Sequence, residues 1–572
     1  MARLALGGGA PRGNDNAVFA LLRASLALLG TTFVLVALLY SGYLNFTDLD
    51  GPEIEVSEQS FVVSESGRDL QYGRSHLSRD GKIWRLHLEG SPEMIGDARG
   101  RLTARLFEEL DAHVQARIDE RYGAWLEGWT AAMLTRWDYR GADSHLGEAV
   151  QRELAAMAAA MPEAQTGRIS AYHRLFLYQS FDSLAAKLDD VIVEGAAFAI
   201  ARKRSAAEPG NLLIGRSLWF DLEQEVEPER IVTVVRPDGR YPYVSVGWPG
   251  LIGVVTGINA RGIFVALNPA RTDDPLEDGA PAPIVLRRVL EEADTLEHAV
   301  ELLRGAALRS SGVVLVGDGV QRKSVIVELA ARDREDRRVT RGEAEPVVWA
   351  TDHMLREAFE GDLQNDWVRR YTSSGYRYDR IGELLAAGGG EVDPTRVVTL
   401  LRDRRGTDSA ELGLGNANAL ENLHIAQAVV VDATAMVLWV SEGPSALGRF
   451  RAFDLSRMLG RQDAPAVALN DLPADPLLYS EEYRDWIEAT RAIAHAWKLL
   501  ARGYPERALA SAQIARALAP DVGELHRLLG DIERELGHGD EAVSHYRRYL
   551  ELVPGRRREQ IRVEGMIAEL GG

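Results

Sequence analysis

IVTVVRPDGRYPYVSV, residues 231–246, places two short runs rich in β-branched residues on either side of Arg236-Pro237-Asp238-Gly239. Valine, isoleucine and threonine suit a pleated surface and Pro-Asp-Gly is turn chemistry, so the stretch predicts a β-hairpin. The pattern recurs downstream: VVLV (313–316) pairs with SVIVEL (324–329), and AVVVD (428–432) with MVLWV (436–440). Between these hairpins, Pro283 to Leu303 and Pro394 to Arg402 carry apolar residues at helical spacing. Antiparallel sheets with helices packed on them make an α+β domain, placed at 191–455.

On the N-terminal side, apolar residues three to four apart, such as Leu102, Leu106, Leu110 and Val114, predict amphipathic helices. Residues 45–190 are therefore read as a juxtamembrane and helical part of the same domain. On the C-terminal side a proline-containing stretch, Gln462 to Pro476, marks a linker at 456–480. The tail, 481–572, repeats itself at an offset of 34 residues: Ala496 with Gly530, Gly503 with Gly537, Ala508 with Ala542, Pro520 with Pro554. That period is similar to tetratricopeptide helix pairs. Two such units fall short of the three usually needed, so the tail is expected to dock on the main domain or on a protein partner.

Near the N-terminus, Ala24 to Leu44 holds no charge, and about 20 such residues cross a bilayer core. Arg3, Arg12 and Arg23 precede it, and Asp48, Asp50 and Glu53 follow. By the positive-inside rule residues 1–23 are a cytoplasmic tail, 24–44 a transmembrane helix, and the main domains periplasmic or otherwise extracytoplasmic, on a single-pass inner-membrane protein. A cleaved signal peptide is the rival reading. Against it, the run is longer than a normal signal core and no small-x-small site follows closely.

The formal net charge is -19 over 572 residues, which argues against nucleic acid as a partner, since phosphate binding needs a basic face. There is no cysteine, which excludes disulfides, thiolate metal sites and thiol nucleophiles. No serine-elbow, zinc-helix, Ser-x-x-Lys or dinucleotide signature is found, and His353 and His424 lack companions at ligand spacing, so no cofactor and no metal are expected.

Six segments, in order, carry a resemblance: LHLEGSPEMIGDARGRL (86–102), GAAFAI (195–200), LLIGRSLWFD (212–221), GVVTGINARGIFVALN (253–268), VVWATDHM (347–354) and TSSGYRYDR (372–380). Together they resemble the autoproteolytic acyl-coenzyme A:6-aminopenicillanic acid acyltransferases, relatives of bile-salt hydrolases and penicillin V acylases within the N-terminal-nucleophile hydrolases. The resemblance implies a four-layer αββα sandwich. It also implies a precursor that cleaves itself before a cysteine, whose freed α-amine then serves as base for its own thiol.

Carried over residue by residue, the pattern is mixed. The nucleophile position falls on Ala196, and its neighbour Ala197 is no substitute. Arg216 is kept, whereas the amine-orienting aspartate falls on Trp219, with Asp221 two residues later. Asn268 matches the oxyanion asparagine and Asn259 the asparagine of the preceding turn. A second oxyanion asparagine has become Asp352, and Arg377 matches the distal arginine. Sliding the first motif finds only Glu194, Gly195, Ala196, Ala197 and Phe198.

Two functions follow. One is a catalytically degenerate, membrane-anchored envelope protein that binds a small acyl-amide-like ligand or recruits a partner through its tail. The other is an active amide hydrolase or acyltransferase with a non-standard catalytic group, Asp352 being the replacement carboxylate.

Overall fold

The computed structural model describes residues 15–55, 59–64, 69–122, 125–161, 169–183, 193–201, 210–220, 229–332, 338–343, 345–387, 392–460, 469–553 and 557–571. The chain enters through helix α1 (Asp15–Thr47) and a four-stranded run, β1 (Phe61–Val63), β2 (Leu70–Tyr72), β3 (Ser75–Asp80) and β4 (Ile83–Gly90). Helices α2 (Pro92–Tyr122), α3 (Trp125–Tyr139), α4 (Glu148–Ala160) and α5 (Ala171–Gln179) follow. The core then gives β5 (Val193–Ile200), β6 (Leu213–Phe220), β7 (Ile231–Pro237), β8 (Tyr243–Gly247), β9 (Thr256–Asn259) and β10 (Ile263–Pro269). After α6 (Ala282–Glu292) and α7 (Leu296–Arg304) come β11 (Gly312–Asp318), β12 (Lys323–Leu329), β13 (Arg338–Arg341) and β14 (Val347–Ala350). Helices α8 (Leu363–Tyr371), α9 (Ser374–Ala387) and α10 (Pro394–Leu401) lead to β15 (Ile425–Asp432), β16 (Val437–Ser441), β17 (Phe450–Asp454) and the short α11 (Leu455–Met458).

The strands form two sheets. The larger, of eleven described strands, runs β1-β2-β3-β4-β7-β8-β9-β10-β11-β12-β13; the smaller, of six, runs β14-β5-β6-β15-β16-β17. The three hairpins expected from the sequence are present, β7 with β8, β11 with β12 and β15 with β16, all antiparallel. One parallel pairing, β4 on β7, joins the strands 61–90 to the large sheet.

Strand alternation sorts the side chains into three layers of core. On β10, Phe264 and Ala266 face the small sheet, while Val265 and Leu267 face the helices; on β15, Val429 and Val431 face the large sheet, while Ala428 and Val430 face away. The outer face of the large sheet is covered by α2, α6 and α7 through Ile95, Leu286, Leu290 and Leu303, and that of the small sheet by α9 and α10 through Ile381, Leu385, Val397 and Leu401. The result is the αββα sandwich expected. Each such aliphatic side chain contributes about 1.5–3 kcal/mol on burial, which is what holds the layers in register.

Helix α2 lies against α4 at backbone distance: a Cβ on Gly96 would collide with the Glu153 carbonyl, and one on Gly100 would stand 2.6 Å from Ala160 Cβ. These glycines of SPEMIGDARG therefore serve helix packing. The helical stretch expected across Pro283 to Leu303 is two helices, because Thr295 caps α7 by accepting the His298 N–H at 3.2 Å.

The apolar run 24–44 lies inside α1, whose segment Leu29–Thr47 has a mean hydropathy of 1.4 and leaves its apolar side chains exposed, with Thr47 at its end buried. By length and composition α1 can span a membrane or be a signal sequence. The tail is helical throughout its described part: α12 (Glu481–Ala501) packs on α13 (Pro505–Leu518), α14 (Gly523–Glu535) on α15 (Gly539–Leu552), and α16 (Arg557–Glu569) closes it.

Candidate functional site

Strand β5 sets the site. It pairs with β6 so that Gly195 stands opposite Leu218, Ala196 opposite Ser217 and Ala197 opposite Arg216. Opposed residues share a face, so Gly195, Ala197 and Arg216 look into the gap between the sheets. Ala196 looks the other way and packs with Phe198, Ile381 and Val397 beneath the helices. It is Gly195, not the Ala196 of the motif, that stands against the retained arginine: a Cβ on Gly195 would run into Arg216 Nη1 and Asn268 Oδ1. The sequence motif could not fix this, because strand parity flips with every residue.

Arg216 is fully buried. Its Nη1 donates to Asn268 Oδ1 and its Nη2 to the Leu267 carbonyl, so one side chain ties the small sheet to β10 of the large one. Burial pulls its guanidinium down to about 10, opposed by the nearby Asp352 carboxyl, and it stays charged at neutral pH. The Nδ2 of Asn268, also buried, has no hydrogen-bond partner among the described residues.

Asp352 follows β14 and reaches the edge of β5, where its Oδ1 accepts the Gly195 N–H at 2.7 Å. Its own N–H donates to Ser374 Oγ at 3.0 Å, which fixes the loop on the first turn of α9. Burial raises its carboxyl well above the usual range, against the opposing pull of the Gly195 amide and of Arg216. Arg377, on α9, approaches Asp352 Oδ2 at 3.9 Å and ion-pairs with Glu194, and its guanidinium lies 5.9 Å above the Trp219 ring.

Arg216 and Asn268 thus meet at Gly195 between the sheets. Trp219 and Arg377 lie on the helix side of β5 and β6, with Glu194, and Asp352 stands between the two groups. Asp221 lies outside the described residues. Asn259 belongs to a turn instead: its Nδ2 donates to the carbonyls of Leu290 and Ala293 and its Oδ1 accepts from Arg261 and Ile263. Glu194 is the residue the sequence did not reveal; its partner is 183 positions away, and only a charge inside an apolar strand hinted at it.

Trp219 is one member of an aromatic row. His424 stands 6.3 Å from it, and Trp486 of α12 stands 6.2 Å from His424. The tail therefore docks on the main domain, next to the helix side of the site. A cleft of about 770 Å³ lined by Leu296, Val300 and Val325 opens on the opposite, helix-covered face of the large sheet.

Residues 210–443 match the sequence pattern of the family "Acyl-coenzyme A:6-aminopenicillanic acid acyl-transferase". An uncharacterized protein of Archaeoglobus fulgidus is 30% identical over 130 residues, 22% of this chain; the chain spans only 22% of the length of that curated relative. Among solved structures, a Caenorhabditis elegans N-acylethanolamine-hydrolyzing acid amidase ortholog is similar over 42% of this chain and 93% of its own, with 18% identity and a TM-score of 0.30. A mutant conjugated bile acid hydrolase from Clostridium perfringens is similar over 48% and 96%, with 12% identity and a TM-score of 0.29. Gly195 precedes the stretch that matches this family's pattern, residues 210–443, which holds Arg216, Asn268, Asp352 and Arg377.

Proposed function

We infer that this chain is a catalytically silent member of its family, anchored in the membrane by α1 and acting in the cell envelope as a binding or scaffolding protein. One observation carries the reading. The residue facing Arg216 and Asn268 is Gly195, which has no side chain, and a Cβ there would collide with both. No hydroxyl or thiol stands anywhere from Glu194 to Phe198. In a comparable hydrolase, loss of the nucleophile costs about a million-fold in rate.

The surrounding groups support the same conclusion by occupying one another. Arg377 is spent on Glu194, Arg216 on Asn268 and the Leu267 carbonyl, and Asp352 on the Gly195 N–H. Asp352 is a poor replacement nucleophile, because burial favours its protonated form. The Nδ2 of Asn268, without a hydrogen-bond partner among the described residues, is the donor that a ligand carbonyl would meet. The helical tail, docked through α12, keeps its other faces for a protein partner.

Anchoring rests on how the end of α1 is held. Arg136 of α3 donates to the Leu44 carbonyl at 2.8 Å and to Thr47 Oγ1 at 3.1 Å, and His173 lies 2.8 Å from Asp48. Cleavage after the apolar run, beyond Leu44, would strip a buried arginine of one or both of these acceptors, which favours a retained anchor over a signal peptide. With the arginines before it and acids after it, the folded domains lie on the extracytoplasmic side.

Intact mass and N-terminal sequencing of the purified chain, together with a panel of N-acyl amides, test the reading. One uncleaved species without turnover is expected; a new N-terminus within 194–197, or turnover lost in Asp352→Ala, would overturn it.

A further inference from the structure

We propose that α3 lies in the interfacial layer of the bilayer that α1 spans, with Leu134 and Trp137 in contact with lipid. The inference rests on α1 being a retained membrane anchor and extends it to a second element.

Helix α1 presents apolar side chains to the outside all round: Leu29, Phe33, Val34, Leu35, Val36, Leu38, Leu39 and Phe46 are each more than half exposed. A helix of that kind needs lipid around it. Near its C-terminal end the composition changes to aromatic, with Tyr40, Tyr43 and Phe46. Tyrosine and tryptophan collect at the bilayer–water boundary, where the ring is desolvated and the polar edge stays wet. Twenty residues before Tyr43 the helix reaches Arg23, a rise of about 30 Å, the thickness of the hydrocarbon core.

At this boundary α3 lies against α1. The Tyr43 and Trp137 rings stack at 6.3 Å, Phe46 approaches Trp137 at 6.0 Å, and the Tyr43 hydroxyl donates to the Met133 carbonyl. Arg136 and Tyr139 of α3 are buried in the protein, whereas Leu134 (66% exposed) and Trp137 (45%) point away from it. Tyr40, Tyr43, Met133, Leu134 and Trp137 enclose an apolar cleft of about 440 Å³. The Arg140 guanidinium lies 4.2 Å over the Trp137 ring, a position from which it meets lipid phosphate while the ring remains among acyl chains. An apolar face continuous with a spanning helix, at the level of its aromatic girdle, has the bilayer as its neighbour.

The absence of cysteine makes the test direct. The full chain is reconstituted in phospholipid nanodiscs as three single-cysteine variants, Leu39→Cys in α1, Leu134→Cys in α3 and Val320→Cys at the exposed β11–β12 turn, each carrying an environment-sensitive fluorophore. The label at 134 is expected to be blue-shifted and to lose most of its emission to quenchers attached near the lipid headgroup. The label at 39 should respond to quenchers deep in the acyl chains, and that at 320 to neither. A water-like label at 134 with a lipid-embedded label at 39 would overturn the proposal and leave the anchor standing. A water-like label at 39 would overturn both. A blue-shifted label at 134 that lipid quenchers do not reach would place another protein on α3 and likewise overturn the proposal.

Discussion

The carboxyl of Asp352 receives one side of its hydrogen bonding from the Gly195 N–H, while Oδ2 has no hydrogen-bond partner among the described residues. The unfolded chain ionises this group at about pH 4, whereas burial lets the folded chain keep the proton to much higher pH. Between those values the folded state holds a proton that the unfolded state has lost. Stability therefore falls as pH rises from about 4 towards the folded value. Asp352→Asn retains an oxygen for Gly195 and cannot ionise. Calorimetry should find the variant melting above the wild type at pH 7 and level with it below about pH 4. A wild-type advantage at pH 7 would mean that attraction to Arg216 and Arg377 outweighs desolvation. The sequence named Arg216, Asn268, Asp352 and Arg377 because each sits in a short motif. It could not show Glu194 as the partner of Arg377, nor which of Gly195 and Ala196 faces Arg216, since both depend on three-dimensional pairing.

Elements were legible where their period was strong. The hairpins at 231–247, 312–329 and 425–441 alternate or run β-branched over five or more residues, and they fold as read. The strands at 61–80 were not legible: SHLSRD and LQY are too short and too polar to signal, and they become strands because β3 pairs with β4, itself docked on β7, and β2 pairs with β3. The helical layer depends on a buried charge cluster that no periodicity announces. Glu153 of α4 meets Arg287 of α6 at 2.6 Å and Arg99 of α2 at 3.7 Å, with all three side chains nearly inaccessible. Removing Glu153 takes the carboxylate from Arg99 in a dry site and leaves Arg287 with Glu291 alone, at 2.7 Å, a cost of about 3–5 kcal/mol. Glu153→Ala should lower the urea midpoint by that amount of stability, with the slope of the transition unchanged. A cost below about 1 kcal/mol would mean that water reaches the two guanidiniums.

At the scale of the whole chain, the question is what the helical tail does to the domain that carries the site. Its contacts are specific: the Trp486 indole lies 2.8 Å from where a Gly415 Cβ would stand, and Asn416 Nδ2 donates to the Leu552 carbonyl at 2.7 Å. Trp486 is 4% exposed although it sits on the surface of its own helix pair, so the main domain supplies the burial. The loop 413–424 that receives it continues through His424 to Trp219, and Trp219 supports Arg377. Tail and site therefore share one packed aromatic row, and loosening one end should be felt at the other. Truncating a buried tryptophan costs about 3–5 kcal/mol, here drawn from docking rather than from the helices of the tail. In Trp486→Ala, hydrogen exchange should accelerate in 413–424 and in the first turns of α9, with the helix content by circular dichroism unchanged. Acceleration confined to α12 would show that the row does not couple the tail to the site, and that the tail is held there for its other contacts alone.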